Sequence, residues 1–456
     1  MEISQRVYAA RVRSYAPGIG SSIGRRSTGR RNDSRQTNGA FGKVVNKNVY
    51  SLGRFAFSAL VLLVVSQPRA CAQLNGLEEL GHSYQADARG GTEVAVGDTG
   101  LAQIRQPASL GLHRRGRFDS KLTFIYPRNK WNGPAGGDLS SKTCLPSYNL
   151  GYVRPINEKY SAGIAFENGG WSSSFDSPYL LYNPGQKTKA SLDYKHYSAY
   201  VNLGYKPTEK LLLGAGPRVE VLSFKTNLVL GPGRLDWPKS WAVGSGFTLG
   251  ALYLINPKWS TGVSYRSPLW CGTLGSNNAS FDVPAVGTRT GRIGIESFTL
   301  PQRLSFGLSY KPTKKLRLMS EGGWIGNSSS VFGHAHVTGL ANLPFSPGYR
   351  DVWLMNNGFD YDFNERWSCS GGFSFNNQPI AKQAVTPVFP SNCKQMFTYG
   401  LRYKRGRMWT GVTHIIGLPS LTTSNGNTNV PLGLDYQFGN TRQMLQSVNC
   451  GVGFYF

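Results

Sequence analysis

Between His196 and Tyr205 the chain alternates without a break. Tyr197, Ala199, Val201, Leu203 and Tyr205 fall on one side, and His196, Ser198, Tyr200, Asn202 and Gly204 on the other. A period of two with one apolar side predicts a strand. The pattern returns from Trp241 to Tyr253, where Trp241, Val243, Phe247, Leu249, Ala251 and Tyr253 oppose Gly244, Gly246, Thr248 and Gly250. Shorter copies are Leu304, Phe306, Leu308, Tyr310 and Phe397, Tyr399, Leu401, Tyr403. Tyr197 and Tyr205 lie ~27 Å apart along a strand rising ~3.4 Å per residue. Tilted, that crosses an apolar band ~25 Å tall and sets an aromatic at each interface.

One phrase recurs six times: a strand ending in Tyr, a tight polar turn, then a strand opening on Trp, Tyr or Leu. Its Tyr residues are Tyr152, Tyr205, Tyr253, Tyr310, Tyr361 and Tyr403, and the stretches between copies are long and rich in Gly, Ser and Asn. Short turns alternating with long loops are the rhythm of an outer-membrane barrel with the short turns in the periplasm. Six hairpins supply twelve strands; Lys121–Tyr126 precedes them and Val448–Phe456 follows. The expectation is an all-β chain: a 14-stranded antiparallel transmembrane β-barrel over residues 121–456. A soluble β-sandwich would also alternate, but the aromatic ends, loop asymmetry and an export signal disfavour it. The last strand places Val448, Cys450, Val452, Phe454 and Phe456 on one face and ends the chain on Phe456. Phe454 and Phe456 thus resemble the signal read by the barrel-assembly machinery of the outer membrane.

Composition alters this picture little. The chain holds 56 Gly, 23 Tyr and 23 Phe with 16% charged residues, which suits strands and turns. A mean hydropathy of −0.30 is no objection, because lumen-facing polar residues dilute the average. Much of the net charge of +26 sits in residues 1–72, with 12 Lys/Arg against 2 Asp/Glu, leaving +16 for the rest. Those charges are scattered through turns and loops, which favours lipid headgroups over nucleic acid as partner.

After Arg54 an apolar run from Phe55 to Val65 leads to Ala70-Cys71-Ala72. The run is too short to span and suits a signal peptide cleaved after Ala72. The 53 residues upstream, rich in Arg, Ser and Gly, exceed a normal leader; a translation start downstream of Met1 explains them best, with a transit peptide as the alternative. Lipoprotein processing at Cys71 fits poorly. Removing Cys71 leaves five irregularly spaced cysteines without a C-x-x-C pair, so no zinc site is expected; a loop disulfide has no nameable pair.

Residues 73–120 do not alternate and read as a hatch in the lumen, with a flexible periplasmic tail as the alternative. Here the chain resembles the outer-membrane long-chain fatty acid and hydrocarbon transporters of FadL/TodX type. The resemblance rests on Ala88, Gly90-Gly91-Thr92, Val94-Ala95, Asp98 and Gln106-Pro107-Ala108-Ser109-Leu110. Gln106 stands where that family carries Asn, which changes the reach of the amide that pins the hatch.

The resemblance implies passive uptake of long-chain fatty acids or other hydrophobic molecules by a monomeric barrel in the bacterial outer membrane, without a cofactor. Ligand is captured by apolar loops, passes a shifting hatch, and leaves sideways into outer-membrane lipid through a kink in the third strand. Gly169-Gly170, after the third strand Tyr160–Asn168, offers that bend or simply the start of a loop. Candidate capture residues are Leu228, Leu230, Leu235 and Trp237 between strands five and six, and Leu269 and Trp270 further on. A general diffusion porin for polar solutes is one alternative. A lipid-modifying enzyme is another, but the six His (His82, His113, His196, His334, His336 and His414) lack a G-x-S-x-G partner, and no catalytic residue or metal site is assigned.

Overall fold

The computed structural model describes residues 78–133, 138–142, 144–176, 189–284, 286–340, 343–345, 347–388, 393–429 and 436–456. The signal segment, its cleavage position after Ala72 and residues 73–77 lie outside them. Among the described residues no helix is long and apolar enough to cross a membrane. The wall is made of strands.

Fourteen strands close one antiparallel barrel. They are β1 (Arg117–Asn132), β2 (Leu145–Pro155), β3 (Tyr160–Asp176), β4 (Lys189–Tyr205), β5 (Leu211–Leu230), β6 (Gly233–Asn256) and β7 (Trp259–Arg266), followed by β8 (Arg303–Tyr310), β9 (Leu316–Ile325), β10 (Val352–Asp362), β11 (Trp367–Asn376), β12 (Gln395–Arg405), β13 (Met408–Thr423) and β14 (Asn440–Tyr455). Each pairs with the next, and β1 pairs with β14 from Arg117↔Tyr455 to Asn132↔Asn440, so the ring of pairings closes. The six repeated phrases are the six short turns, of two to five residues, all at one end.

The alternation becomes two faces. Val201 is 53% and Leu203 63% exposed toward lipid, while Tyr200 and Asn202 are fully buried on the lumen side. At the short-turn end the repeated Tyr finds its partner in the preceding phrase: Tyr205 stacks on Tyr160 (5.1 Å between centroids), Tyr310 on Trp259 (4.2 Å), and Tyr403 lies against Trp367 (4.7 Å). Each is a directly opposed cross-strand pair, worth about 0.5–1.5 kcal/mol beyond its buried area. Together they form the aromatic girdle of one interface. Phe456 joins it by stacking on Tyr152 (5.6 Å), and Phe454 lies 5.4 Å from Phe118.

Several strands outrun their patterns. The first begins at Arg117, inside the segment read as hatch, and runs to Asn132. The third continues through Gly169-Gly170 to Asp176, so those glycines lie within a strand and do not begin a loop. Between β5 and β6 there is no long loop: the ladder runs from Leu211↔Tyr253 to Leu230↔Gly233, and Gly231 turns the chain at φ +59°. The Gly-Pro-Gly at 231–233 is the signal for that tight turn. The five cysteines among the described residues are free.

Candidate functional site: hatch, apolar chamber and an unzipped seam

The segment before β1 enters the lumen as a helix, α1 (Tyr84–Ala88), capped by Ser83, and two 3-10 turns, Ala102–Ile104 and Pro107–Leu112. From Leu80 to Leu110 every residue except Asp98 is buried. The wall admits this packing through glycine. On twelve of the fourteen strands a lumen-facing glycine stands so close to the hatch that a Cβ would overlap it: Gly214 against Pro107, Gly262 against Val94, Gly358 against Arg89, Gly372 against Gly90, Gly411 and Gly451 against Tyr84. Many of these glycines flank the repeated phrases, and that recurrence was the available signal. Strand glycine otherwise reads as a weakness or a bulge.

Gln106 and Gln103 pin the hatch to the wall. Gln106 Nε2 donates to the carbonyls of Val94, Ala251 on β6 and Val263 on β7, each at 3.1 Å, while its Oε1 accepts the Ala108 N–H. Ala251 and Val263 are paired residues, so a single amide grips both sides of one seam. Gln103 Nε2 does the same at Tyr152 O (3.1 Å) and Ile164 O (3.4 Å), paired across β2 and β3. Gly90 and Gly91 take φ +72° and +90°, a region that side chains resist. The Gly90 N–H donates to Thr398 Oγ1 at 2.9 Å.

A buried charge network completes the attachment. Arg89 holds Asp98 through two hydrogen bonds (2.7 and 3.1 Å) and reaches Asp360 on β10 (3.0 Å), while Arg317 on β9 also meets Asp98 (2.9 Å). Burial would raise the Asp98 carboxyl, but Arg89 and Arg317 outweigh it and hold it well below the usual range. Glu321 on β9 accepts the N–H groups of Glu93 and Val94 (2.9 and 3.0 Å) and contacts Arg105 (3.3 Å). His82 bridges hatch and wall, with Nδ1 2.5 Å from Glu93 and Nε2 3.2 Å from Glu167 on β3. Burial opposes its charge, yet the two carboxylates raise it to about 9. Arg89 occupies the variable position of the Ala-x-Gly-Gly element, which is why pattern alone passed over it.

Above the hatch the side chains form a continuous, closely packed apolar cluster, the candidate solute chamber. Leu230, Leu235, Trp237 and Leu269 are buried in it, and Leu228 packs against it half-buried. Trp237 Nε1 donates to Ser240 Oγ at 2.8 Å. Trp270 is different: next to inward Leu269 it turns outward, 52% exposed, with its ring 6.3 Å from Phe247 on the lipid face. Period two decides this outcome. Chamber residues also come from β3 and β4 (Trp171, Phe175, Leu192, Tyr194) and from Phe332 and Tyr349 between β9 and β10. A cavity of about 50 Å³ sits at the base, lined by Glu78, His82, Asn168, Tyr194, Arg218 and Phe332 among others.

Beside this cavity one ladder of the wall ends early among the described residues. The β2–β3 ladder runs from Pro155↔Ser161 to Asn149↔Glu167 and stops. One residue on, Asn168 Oδ1 accepts the Tyr148 N–H at 2.6 Å, a side chain in place of the ladder. Beyond it, among the described residues, Leu145–Tyr148 pair with β1 and Gly169–Asp176 with β4. Gly170 has φ +138°, and a Cβ there would overlap the Tyr194 carbonyl. The inner face of the unzipped stretch is Trp171, Ser173 and Phe175; the two aromatics belong to the chamber, and Ser173 Oγ donates to the Val388 carbonyl at 3.0 Å.

Among the described residues no group of three or more His, Cys, Asp or Glu could hold a metal ion. His334 and His336 are exposed on the segment between β9 and β10.

The profile of the family described as outer membrane protein transport protein (OMPP1/FadL/TodX) matches residues 62–433. No curated protein matches the sequence. Among solved structures the chain is similar to the Pseudomonas putida toluene transporter TodX (TM-score 0.71, 17% identity, 83% of this chain and 99% of that one). It is also similar to the Ralstonia pickettii toluene transporter TbuX (0.65, 19%, 83% and 99%) and a Pseudomonas aeruginosa FadL homologue (0.69, 13%, 84% and 100%).

Proposed function

The chain belongs to the outer-membrane transport protein family OMPP1/FadL/TodX, and on that premise we propose that it takes up hydrophobic molecules, aromatic hydrocarbons or long-chain fatty acids, by lateral release. Solute enters the apolar chamber from the long-loop end, where Leu228, Leu230, Leu235, Trp237 and Leu269 capture it. It settles above the hatch and leaves between β2 and β3 into outer-membrane lipid, with Gly169-Gly170 as the bend. The hatch, with Gly90, Gly91, Asp98, Gln106, Pro107 and Ala108 at its anchor points, blocks the straight route and shifts to enlarge the base of the chamber. The barrel acts as a monomer and needs no cofactor. Phe454 and Phe456, exposed on the final strand, present the assembly signal.

The observation that carries this reading is the meeting of chamber and unzipped seam at Trp171 and Phe175. An apolar solute gains free energy at every step that keeps it from water, roughly 25 cal/mol per Å² of apolar surface. A side door into lipid keeps that gain, whereas a polar lumen forfeits it. The test is uptake of labelled solute by cells lacking their own route. Gly170→Val forces a side chain into a strained position facing the Tyr194 carbonyl and is expected to cut uptake at least tenfold while leaving ligand binding by the detergent-purified protein within twofold. Unchanged uptake would remove the seam from the pathway.

A further inference from the structure

On the outer face of β1 the side chains change character in a fixed order toward the long-loop end. Leu122, Phe124 and Tyr126 face lipid, and Arg128 and Lys130 follow on the same face, both exposed. Arg128 is ten residues beyond Phe118 in the short-turn girdle, ~34 Å along the strand at ~3.4 Å per residue. At a tilt of about 40° that is ~26 Å along the normal, the height of the apolar band, so both cations stand at the headgroup level of the outer leaflet.

The neighbouring strand β14 brings further positive charge to the same place. Exposed Arg442 is the direct ladder partner of Lys130. Two like charges thus face each other across adjacent strands with Arg128 beside them, an arrangement that destabilises a sheet in isolation. Among the described residues none of Arg128, Lys130 and Arg442 has an ion-pair partner. No carboxylate occupies the outward face of β1 or β14. The cluster also straddles the closing seam between first and last strands, the one junction of the barrel that no turn or loop connects.

We propose that Arg128, Lys130 and Arg442 form a docking site for the phosphates of an outer-leaflet glycolipid of the lipid A type. Two phosphates on one headgroup answer the three cations, convert their repulsion into charge-assisted hydrogen bonds, and staple the seam. The acyl chains lie against Tyr126, Phe124 and Leu122 below.

The experiment uses the full barrel in neutral detergent and the variant Arg128→Gln/Lys130→Gln/Arg442→Gln. Lipid A binding is read by native mass spectrometry, and heat stability is read alongside. Wild type is expected to bind at least tenfold more tightly than the variant and to melt higher with lipid A. Lys314→Gln/Lys315→Gln, which removes two charges from the β8–β9 turn, is expected to bind like wild type. Without lipid the triple variant is expected to be at least as heat-stable as wild type, which separates a lost site from a lost fold. Equal lipid A affinity of wild type and triple variant would overturn the proposal. So would equal stabilisation by inorganic phosphate, which would mark a free-anion site, or equal affinity for phosphatidylglycerol, which carries a single phosphate.

Discussion

Replacing Gln106 by Leu removes an amide from the wall without changing side-chain bulk much. The equivalent of three hydrogen bonds is lost: two amide hydrogens shared among the carbonyls of Val94, Ala251 and Val263 at 3.1 Å, and the Ala108 N–H donated to Oε1. At a net of about 1 kcal/mol each, the hatch loses about 3 kcal/mol of anchoring. The loss falls on local opening of the hatch more than on the barrel, because the β6–β7 ladder does not depend on the amide. Since 1.4 kcal/mol is tenfold in an equilibrium, hatch amides such as Gly90 and Val94 should exchange with solvent roughly a hundredfold faster. Wall amides in β6 and β7 should change little. Native-state hydrogen exchange read by mass spectrometry resolves the two groups. Gln106→Asn retracts the amide by one methylene, which takes its nitrogen out of reach of the strand carbonyls, and should behave similarly. Hatch exchange within twofold of wild type in both variants would refute the idea that this side chain pins the hatch.

Three further outcomes are expected. The charge on His82 contributes to hatch attachment fully below its unfolded value of about 6.5, and that contribution is lost as pH rises through about 9; the protection of hatch amides relative to their intrinsic exchange rate should therefore fall between pH 7 and 10, and His82→Gln should flatten that dependence. Gly262→Val drives a side chain into the Val94 carbonyl and the Gln106 amide; it should displace the hatch and raise ion conductance in planar bilayers, while the same change at exposed Gly272, with open space around it, should leave conductance unchanged. Trp237→Ala empties a buried position in the chamber, and titration of tryptophan fluorescence with a hydrophobic ligand should show at least fivefold weaker binding; unchanged affinity would remove Trp237 from the capture surface.

The architecture was legible because a membrane wall obeys a simple rule. One face of every strand meets lipid, so Val201, Leu203, Phe306 and Tyr399 advertise it, and the Tyr-turn-aromatic phrase marks each return at the interface. Strand ends were less legible. Past the lipid band both faces are polar or packed, and alternation stops carrying information, so Leu228–Trp237 read as a loop although the β5–β6 ladder continues through it. Attachment of the hatch was read only in outline. Gly90, Asp98 and Gln106 stood out by motif, but Arg89, Glu321 and Gln103 act through partners fixed by the register of strands far away in sequence. The end of the β2–β3 ladder at Asn149↔Glu167 leaves no mark beyond Asn168 and two glycines, because an absent pairing has no residue type of its own.

Cells lacking their own route for hydrophobic molecules, given this chain, provide the most direct check: uptake of labelled long-chain fatty acid and of toluene is followed while the purified barrel is tested for potassium conductance in planar bilayers. A chamber above a closed hatch should give saturable uptake of at least one of the two solutes with almost no ion current. Steady conductance without uptake of either would mean an open polar pore and contradict the account.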